Sequence, residues 1–72
     1  NKFIDIYNLF KSYGFYFIND IIIYYLELFE YDKEIVKERI SKLKDKLGYN
    51  YIYIIGDNLS YLDELLDNEE LN

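Results

Sequence analysis

The chain has 72 residues and a formal net charge of −6, with ten Tyr and five Phe. It contains no Cys and no His, which excludes disulfides and thiolate metal sites and removes the commonest general base of enzymes. The length predicts one small domain, residues 1–72, and the missing Cys fits a reducing compartment, so we expect an intracellular (cytoplasmic) protein.

The first segment, residues 3–13, has the pattern of a short amphipathic helix. Phe3, Tyr7 and Phe10 follow one another at spacings of four and three, which places them on one helical face. Gly14 comes directly afterwards and is a typical helix stop.

The second segment is predicted as a helix that begins near Asn19 or Asp20, either of which can cap it, and runs to about residue 30. Its apolar side chains cover nearly every face of such a helix: Ile18, Ile21, Ile22, Ile23, Tyr24, Tyr25, Leu26, Leu28 and Phe29. The consecutive Ile residues would also suit a strand, but the length of the segment favours a helix. A helix apolar on so many sides is the centre of a bundle or lends one face to a partner.

The third segment is predicted as a helix over residues 33–47. Asp32 is a suitable N-cap, and Gly48 suits the left-handed conformation that ends many helices. Between them, the apolar side chains recur at spacings of four, three and four: Val36, Ile40, Leu43 and Leu47.

Residues 49–55 are open to two interpretations. Their Tyr and Ile content favours a strand, paired in a hairpin or with a second subunit, because a lone strand leaves its backbone groups unpaired. The alternative is a short helical turn over residues 50–55 that stops at Gly56. Both remain open on the sequence alone.

The last segment is predicted as a short helix followed by an acidic tail. Ser60 and Asp63 have the spacing of a capping box, and several Leu residues recur on one side. Residues 67–72 read as a frayed acidic tail. The fold class is therefore mainly α: a small helical bundle of three principal helices plus a short C-terminal helix.

The charges are unevenly distributed, with a balance of +2 over residues 32–47 and −8 over the rest of the chain. If residues 49–55 form a hairpin, the order of elements resembles a winged helix-turn-helix, a DNA-binding architecture. Helix 33–47 would then be its recognition helix. The candidate nucleic-acid contacts would be Lys33, Lys37, Arg39 and Lys44. The competing interpretation is a solvated helix whose acids lie near its start and whose bases lie near its end, as the helix dipole favours.

Catalysis is not expected from this chain. With His and Cys missing, the hydroxyl nucleophiles are Ser12, Ser41 and Ser60, and a bundle this small has no room for a deep substrate cleft. The three Gly stand alone, so no phosphate-binding loop is present, and no segment has the spacing of a calcium loop. We therefore predict no catalytic, cofactor or metal residues, no small-molecule substrate and no membrane segment.

The predicted function is a non-enzymatic protein-protein interaction module, either a small regulator or inhibitor or an interaction domain of a larger protein. Tyr supplies a large contact area at low conformational-entropy cost, and the surplus of Tyr indicates an interface with a protein partner or a second copy. The candidate partner-binding residues are Tyr24, Tyr25, Tyr49, Tyr51 and Tyr53. The alternatives are the winged-helix DNA binder and an acidic inhibitor of a nucleic-acid-binding protein.

Overall fold

The computed structural model describes residues 1–67, which form four α-helices and two 3₁₀ helices. In chain order these are α1 (Lys2–Tyr13), α2 (Ile18–Tyr24), the 3₁₀ helix η1 (Leu26–Glu30), α3 (Lys33–Leu47), α4 (Tyr51–Asp57) and the 3₁₀ helix η2 (Leu59–Leu65). The prediction of a mainly α fold is confirmed, and residues 1–67 contain no strand.

The first and third predicted helices are confirmed nearly to the residue. The side chain of Asn1 caps α1 by accepting a hydrogen bond from the Ile4 N–H at 3.0 Å. Gly14 and Gly48 follow α1 and α3 with φ of 93° and 89°, a conformation that residues with a Cβ rarely adopt. Asp32 stands at the N-cap position of α3, but its carboxylate pairs with Lys2 at 3.4 Å instead of capping the helix.

The single helix predicted from Asn19 or Asp20 to about residue 30 is wrong in two respects. Neither residue caps it, because α2 begins earlier, at Ile18, and the chain then breaks at Tyr25 into α2 and η1. The break turns η1 onto α1, where both Leu28 and Phe29 are buried. The ring of Phe29 lies 4.9 Å from that of Phe3 and 5.7 Å from that of Phe10, measured between centroids. A straight helix would have left part of this apolar surface in water, so packing against α1 decides where the helix ends.

The strand or hairpin considered for residues 49–55 is also wrong, because Tyr51–Asp57 is an α-helix. Tyr51 and Ile55 are four residues apart, and the helix therefore buries both on the same side. Gly56 lies inside α4 and does not stop it. Because Gly56 has no side chain, the ring of Phe17 can pack directly against the helix. A Cβ atom added at Gly56 would lie 3.1 Å from Phe17 Cε1.

The last predicted helix is present as the 3₁₀ helix η2, but Asn58 caps it in place of Ser60. The Asn58 side-chain oxygen accepts hydrogen bonds from the Ser60 N–H at 3.2 Å and the Ser60 hydroxyl at 2.6 Å. Asp67, the first residue of the predicted tail, is held in place because its N–H donates to the Tyr31 hydroxyl oxygen at 2.9 Å. Residues 68–72 of that tail lie outside the described residues.

One apolar core joins these elements. α1 packs on η1 and α3, while η2 packs on α3 and α4. Each element contributes at least two buried side chains, and Phe15 and Phe17 in the connection after α1 complete the core. Side chains that remain exposed are therefore surplus to the core.

Candidate functional site

Three large apolar side chains remain in water at the corner between α2 and η1. Ile23, Tyr24 and Leu26 are 68%, 68% and 54% exposed. α2 uses Ile18 and Ile21 for the core, and the break at Tyr25 turns η1 toward α1, which leaves these three on the outside of the corner. We call Ile23, Tyr24 and Leu26 the corner surface.

An open groove of about 630 Å³ borders the corner surface on the side of η2. Its lining consists of Tyr24, Tyr25, Glu27, Asn58, Leu59, Ser60, Asp63 and Leu66. Two of these side chains are carboxylates and none is basic, so the groove combines aromatic and aliphatic walls with negative charge. We call it the acidic groove.

Tyr25 and Asp63 are hydrogen-bonded at the acidic groove. The Tyr25 hydroxyl donates to Asp63 Oδ1 at 2.7 Å. The pKa of Tyr25 is raised to about 12, first by burial, then by this hydrogen bond and by the negative charges of Asp63 and Glu27. At neutral pH the phenol therefore stays protonated and orients the carboxylate.

A second groove, of about 430 Å³, lies on the other side of η1. It is lined by Lys2, Phe3, Leu26, Phe29 and Glu30. Leu26 thus belongs both to the corner surface and to this groove, so the exposed apolar area extends along η1 in both directions.

The predicted partner-binding residues divide into separate groups. Tyr24 and Tyr25 lie together at the acidic groove, whereas Tyr53 pairs with Tyr16, with ring centroids 6.0 Å apart. Within residues 1–67, no ring contact joins these two groups. Tyr49 is exposed in the loop between α3 and α4.

Tyr51 is buried in the core, unlike its neighbours in the Tyr-rich segment. Its ring makes an edge contact with Phe15 at a centroid distance of 6.1 Å. Its pKa is raised, first by burial and then by Tyr13. A partner that contacts α4 would reach Tyr53 rather than Tyr51.

Sequence reasoning missed Tyr16 and Ile23 as exposed residues. The order Phe15-Tyr16-Phe17 was a signal for Tyr16, since in an extended segment alternate side chains point to opposite sides and the middle ring carries the polar hydroxyl. Ile23 had no such signal, because a helix apolar on all sides does not show which face is left outside.

The four basic residues named for nucleic-acid binding lie on two flanks of α3. Lys33, Lys37 and Lys44, at spacings of four and seven, share one flank. Arg39 lies on the other flank, where its guanidinium donates to the Leu65 carbonyl at 2.9 Å and to Asp67 Oδ1 at 2.7 Å. On the first flank, Lys44 Nζ is 6.0 Å from the Tyr51 ring centroid.

The uneven charge of the sequence is partly neutralised within the molecule. The basic flank that holds Arg39 faces the acidic end of the chain, and Lys46 there pairs with Glu64 at 2.7 Å. Together with the pair of Arg39 and Asp67, this ion pair joins the basic helix to the acidic segment after it.

No helix within residues 1–67 is long and apolar enough to span a bilayer, and these residues hold no cluster of acidic side chains suited to a metal ion. Neither a protein-family model, nor a curated protein, nor a solved structure matches this chain. The function is therefore inferred from the surface of the molecule.

Proposed function

We propose that this protein is a non-enzymatic protein-interaction module that binds its partner through the corner surface. The observation that supports this proposal is that Ile23, Tyr24 and Leu26 remain more than half exposed beside a filled core. Neighbouring apolar side chains of this size on a small domain are typical of a surface that a partner covers.

The surroundings of the corner surface suit a protein partner. Interfaces gain most of their binding energy from a few large anchors, and Tyr is among the commonest of these. The grooves on either side of η1 are concave surfaces into which a partner's side chains can pack. Both are open surface features, and the chain has no His or Cys, so binding accounts for them better than catalysis.

The two alternatives from the sequence have less support. A winged helix needs a hairpin, and the residues that would form it are the helix α4. Arg39, one of its four candidate contacts, is engaged by Leu65 and Asp67. An acidic inhibitor of a nucleic-acid-binding protein would present the carboxylates at the end of the chain, and two of these, Glu64 and Asp67, are already paired within the chain.

The proposal is tested with a surface variant and a matched control. Ile23→Ser with Tyr24→Ser removes two anchors of the corner surface, and Ile35→Ser with Tyr49→Ser removes the same two residue types from exposed positions elsewhere. Tagged proteins capture partners from cells of the source, and calorimetry then measures affinity for the purified partner. We expect the corner variant to lose roughly tenfold or more in affinity, because interface anchors contribute on the order of 1–2 kcal/mol each.

Two results would contradict the proposal. One is that no specific partner is captured by the unmodified protein. The other is that the control loses as much affinity as the corner variant, since this would place the contact on α3 and the loop containing Tyr49. Circular dichroism of both variants confirms that the fold is intact before affinities are compared.

A further inference from the structure

We propose that the acidic groove receives an Arg or Lys side chain from an extended basic segment of the partner. This inference rests on the proposed function and specifies the chemistry of the partner. It arises from the composition of the lining, in which the rings of Tyr24 and Tyr25 and the side chains of Leu59 and Leu66 lie beside two carboxylates and no base.

This combination matches both parts of a long basic side chain. The aliphatic stem of Arg or Lys packs on apolar and aromatic walls while its charged head reaches the rim. There the head meets the carboxylate of Glu27, and a Tyr ring face adds a cation–π attraction. An acidic ligand would be repelled by the carboxylate of Glu27 at the rim of the groove.

The molecule already holds one of its own arginines in the same way. The guanidinium carbon of Arg39 lies 5.6 Å from the centroid of the Tyr31 ring. Its nitrogens donate to the carboxylate of Asp67 and to the Leu65 carbonyl. Tyr ring, carboxylate and polar oxygen are the groups that the acidic groove also presents, with the Ser60 hydroxyl supplying the additional oxygen.

The shape and charge of the groove favour a segment of a different protein. The groove is open to solvent, so it suits a peptide segment lying on it better than an enclosed small molecule. A second copy of this protein is a poor occupant because each copy carries a net charge of −6 and the two would repel.

The test uses random linear peptides displayed on phage, selected against the intact 72-residue protein. We expect the selected peptides to be enriched in Arg and Lys. Synthetic versions should shift the backbone amide signals of residues 58–66 in NMR spectra. Glu27→Gln should weaken their binding roughly two- to fivefold, the range measured for exposed charge pairs, and added salt should weaken it further. Replacing Arg and Lys of the peptide by Gln should abolish binding.

Glu34→Gln is the matched control, because it removes the same charge from an exposed position on α3. Equal loss in Glu27→Gln and Glu34→Gln would overturn the inference, since it would indicate attraction to the net charge alone. Enriched peptides without Arg or Lys would overturn it, as would amide shifts outside the groove. Shifts of groove signals caused by raising the protein concentration would assign the groove to a second copy instead.

The proposed function and this inference can fail separately. A captured partner that needs Ile23 and Tyr24 but binds Glu27→Gln with unchanged affinity would overturn the basic segment and leave the interaction module in place. If no partner depends on Ile23 and Tyr24, the proposed function fails, and the peptide selection then reports on the groove alone.

Discussion

At the scale of single residues, Gly56 shows how an absent side chain shapes this fold. It lies inside α4, where Gly is normally unfavourable by about 1 kcal/mol relative to Ala. A Cβ there would lie 2.7 Å from the Tyr16 hydroxyl oxygen and 3.1 Å from Phe17 Cε1. Tyr16 is exposed and can rotate away, but the buried ring of Phe17 cannot move without disturbing the core.

We therefore expect Gly56→Ala to destabilise the protein by about 1 kcal/mol, because overpacking against Phe17 outweighs the gain in helix propensity. Urea denaturation measures the free energy of unfolding. In a Phe17→Leu background, which removes the ring, the same substitution should become neutral or stabilising. A gain in stability from Gly56→Ala alone would show that the ring does not crowd this position.

Tyr25 makes the stability of the protein sensitive to alkaline pH. Its pKa is about 12 in the folded protein against 10.0 for an unperturbed Tyr. Since folding raises this pKa, the contribution of Tyr25 is complete below pH 10 and is lost as the pH rises from 10 toward about 12. Deprotonation ends the hydrogen bond to Asp63 and sets two negative charges side by side.

Tyr25→Phe should lower the free energy of unfolding by about 0.5 kcal/mol at neutral pH, as expected for one exposed hydrogen bond. The difference from the unmodified protein should shrink to zero or reverse sign as the pH approaches 12. Urea denaturation across the alkaline range measures this difference, and Asp63→Asn should reduce its pH dependence. A difference that stays constant over this range would contradict the assignment.

At the scale of elements, Arg39 connects α3 to the end of the chain. The side chain is about a quarter exposed (27%), and its guanidinium bonds the last residue of η2 and Asp67 beyond it. Tyr31 also contributes to this connection. Its ring lies beside Arg39, and its hydroxyl oxygen accepts a hydrogen bond from the Asp67 N–H. A residue that resembled a nucleic-acid contact in the sequence thus holds the C-terminal segment in place.

Arg39→Met keeps the apolar stem but removes the guanidinium, and we expect it to destabilise the protein by about 1–2 kcal/mol. Hydrogen exchange of the amides of residues 65–67 should accelerate more than that of the α1 amides. Lys42→Met, an exposed base on the same helix, serves as the control and should change stability by less than about 0.5 kcal/mol. Similar effects of the two substitutions would mean that Arg39 does not anchor this segment.

At the scale of the whole molecule, packing neutralises part of the uneven charge of the sequence and leaves the corner surface exposed. The acidic end of the chain lies against the basic helix, so part of the charge contrast is used internally. The acidic groove, next to the exposed Tyr24, also contains the carboxylates of Glu27 and Asp63. The molecule thus presents a surface that is both apolar and acidic.

The sequence by itself determined α1, α3 and the mainly α class. Their signals are local: apolar side chains at helical spacing, ended by Gly14 and Gly48, act within one or two turns and need no distant partner. The absence of His and Cys likewise limits the available chemistry whatever the fold.

Only the tertiary structure decided the break at Tyr25, the helical state of α4 and the choice of exposed aromatic side chains. At these places the local preferences were balanced between alternatives, as in the Tyr-rich segment that suits a strand or a helix. Contacts between residues distant in sequence, such as Phe3 with Phe29 and Phe17 with Gly56, then determined the outcome. Those contacts bury some rings and leave Tyr24 and Tyr53 exposed to solvent. The composition therefore showed that the chain has a surplus of aromatic residues, but it could not show which of them lie on the surface.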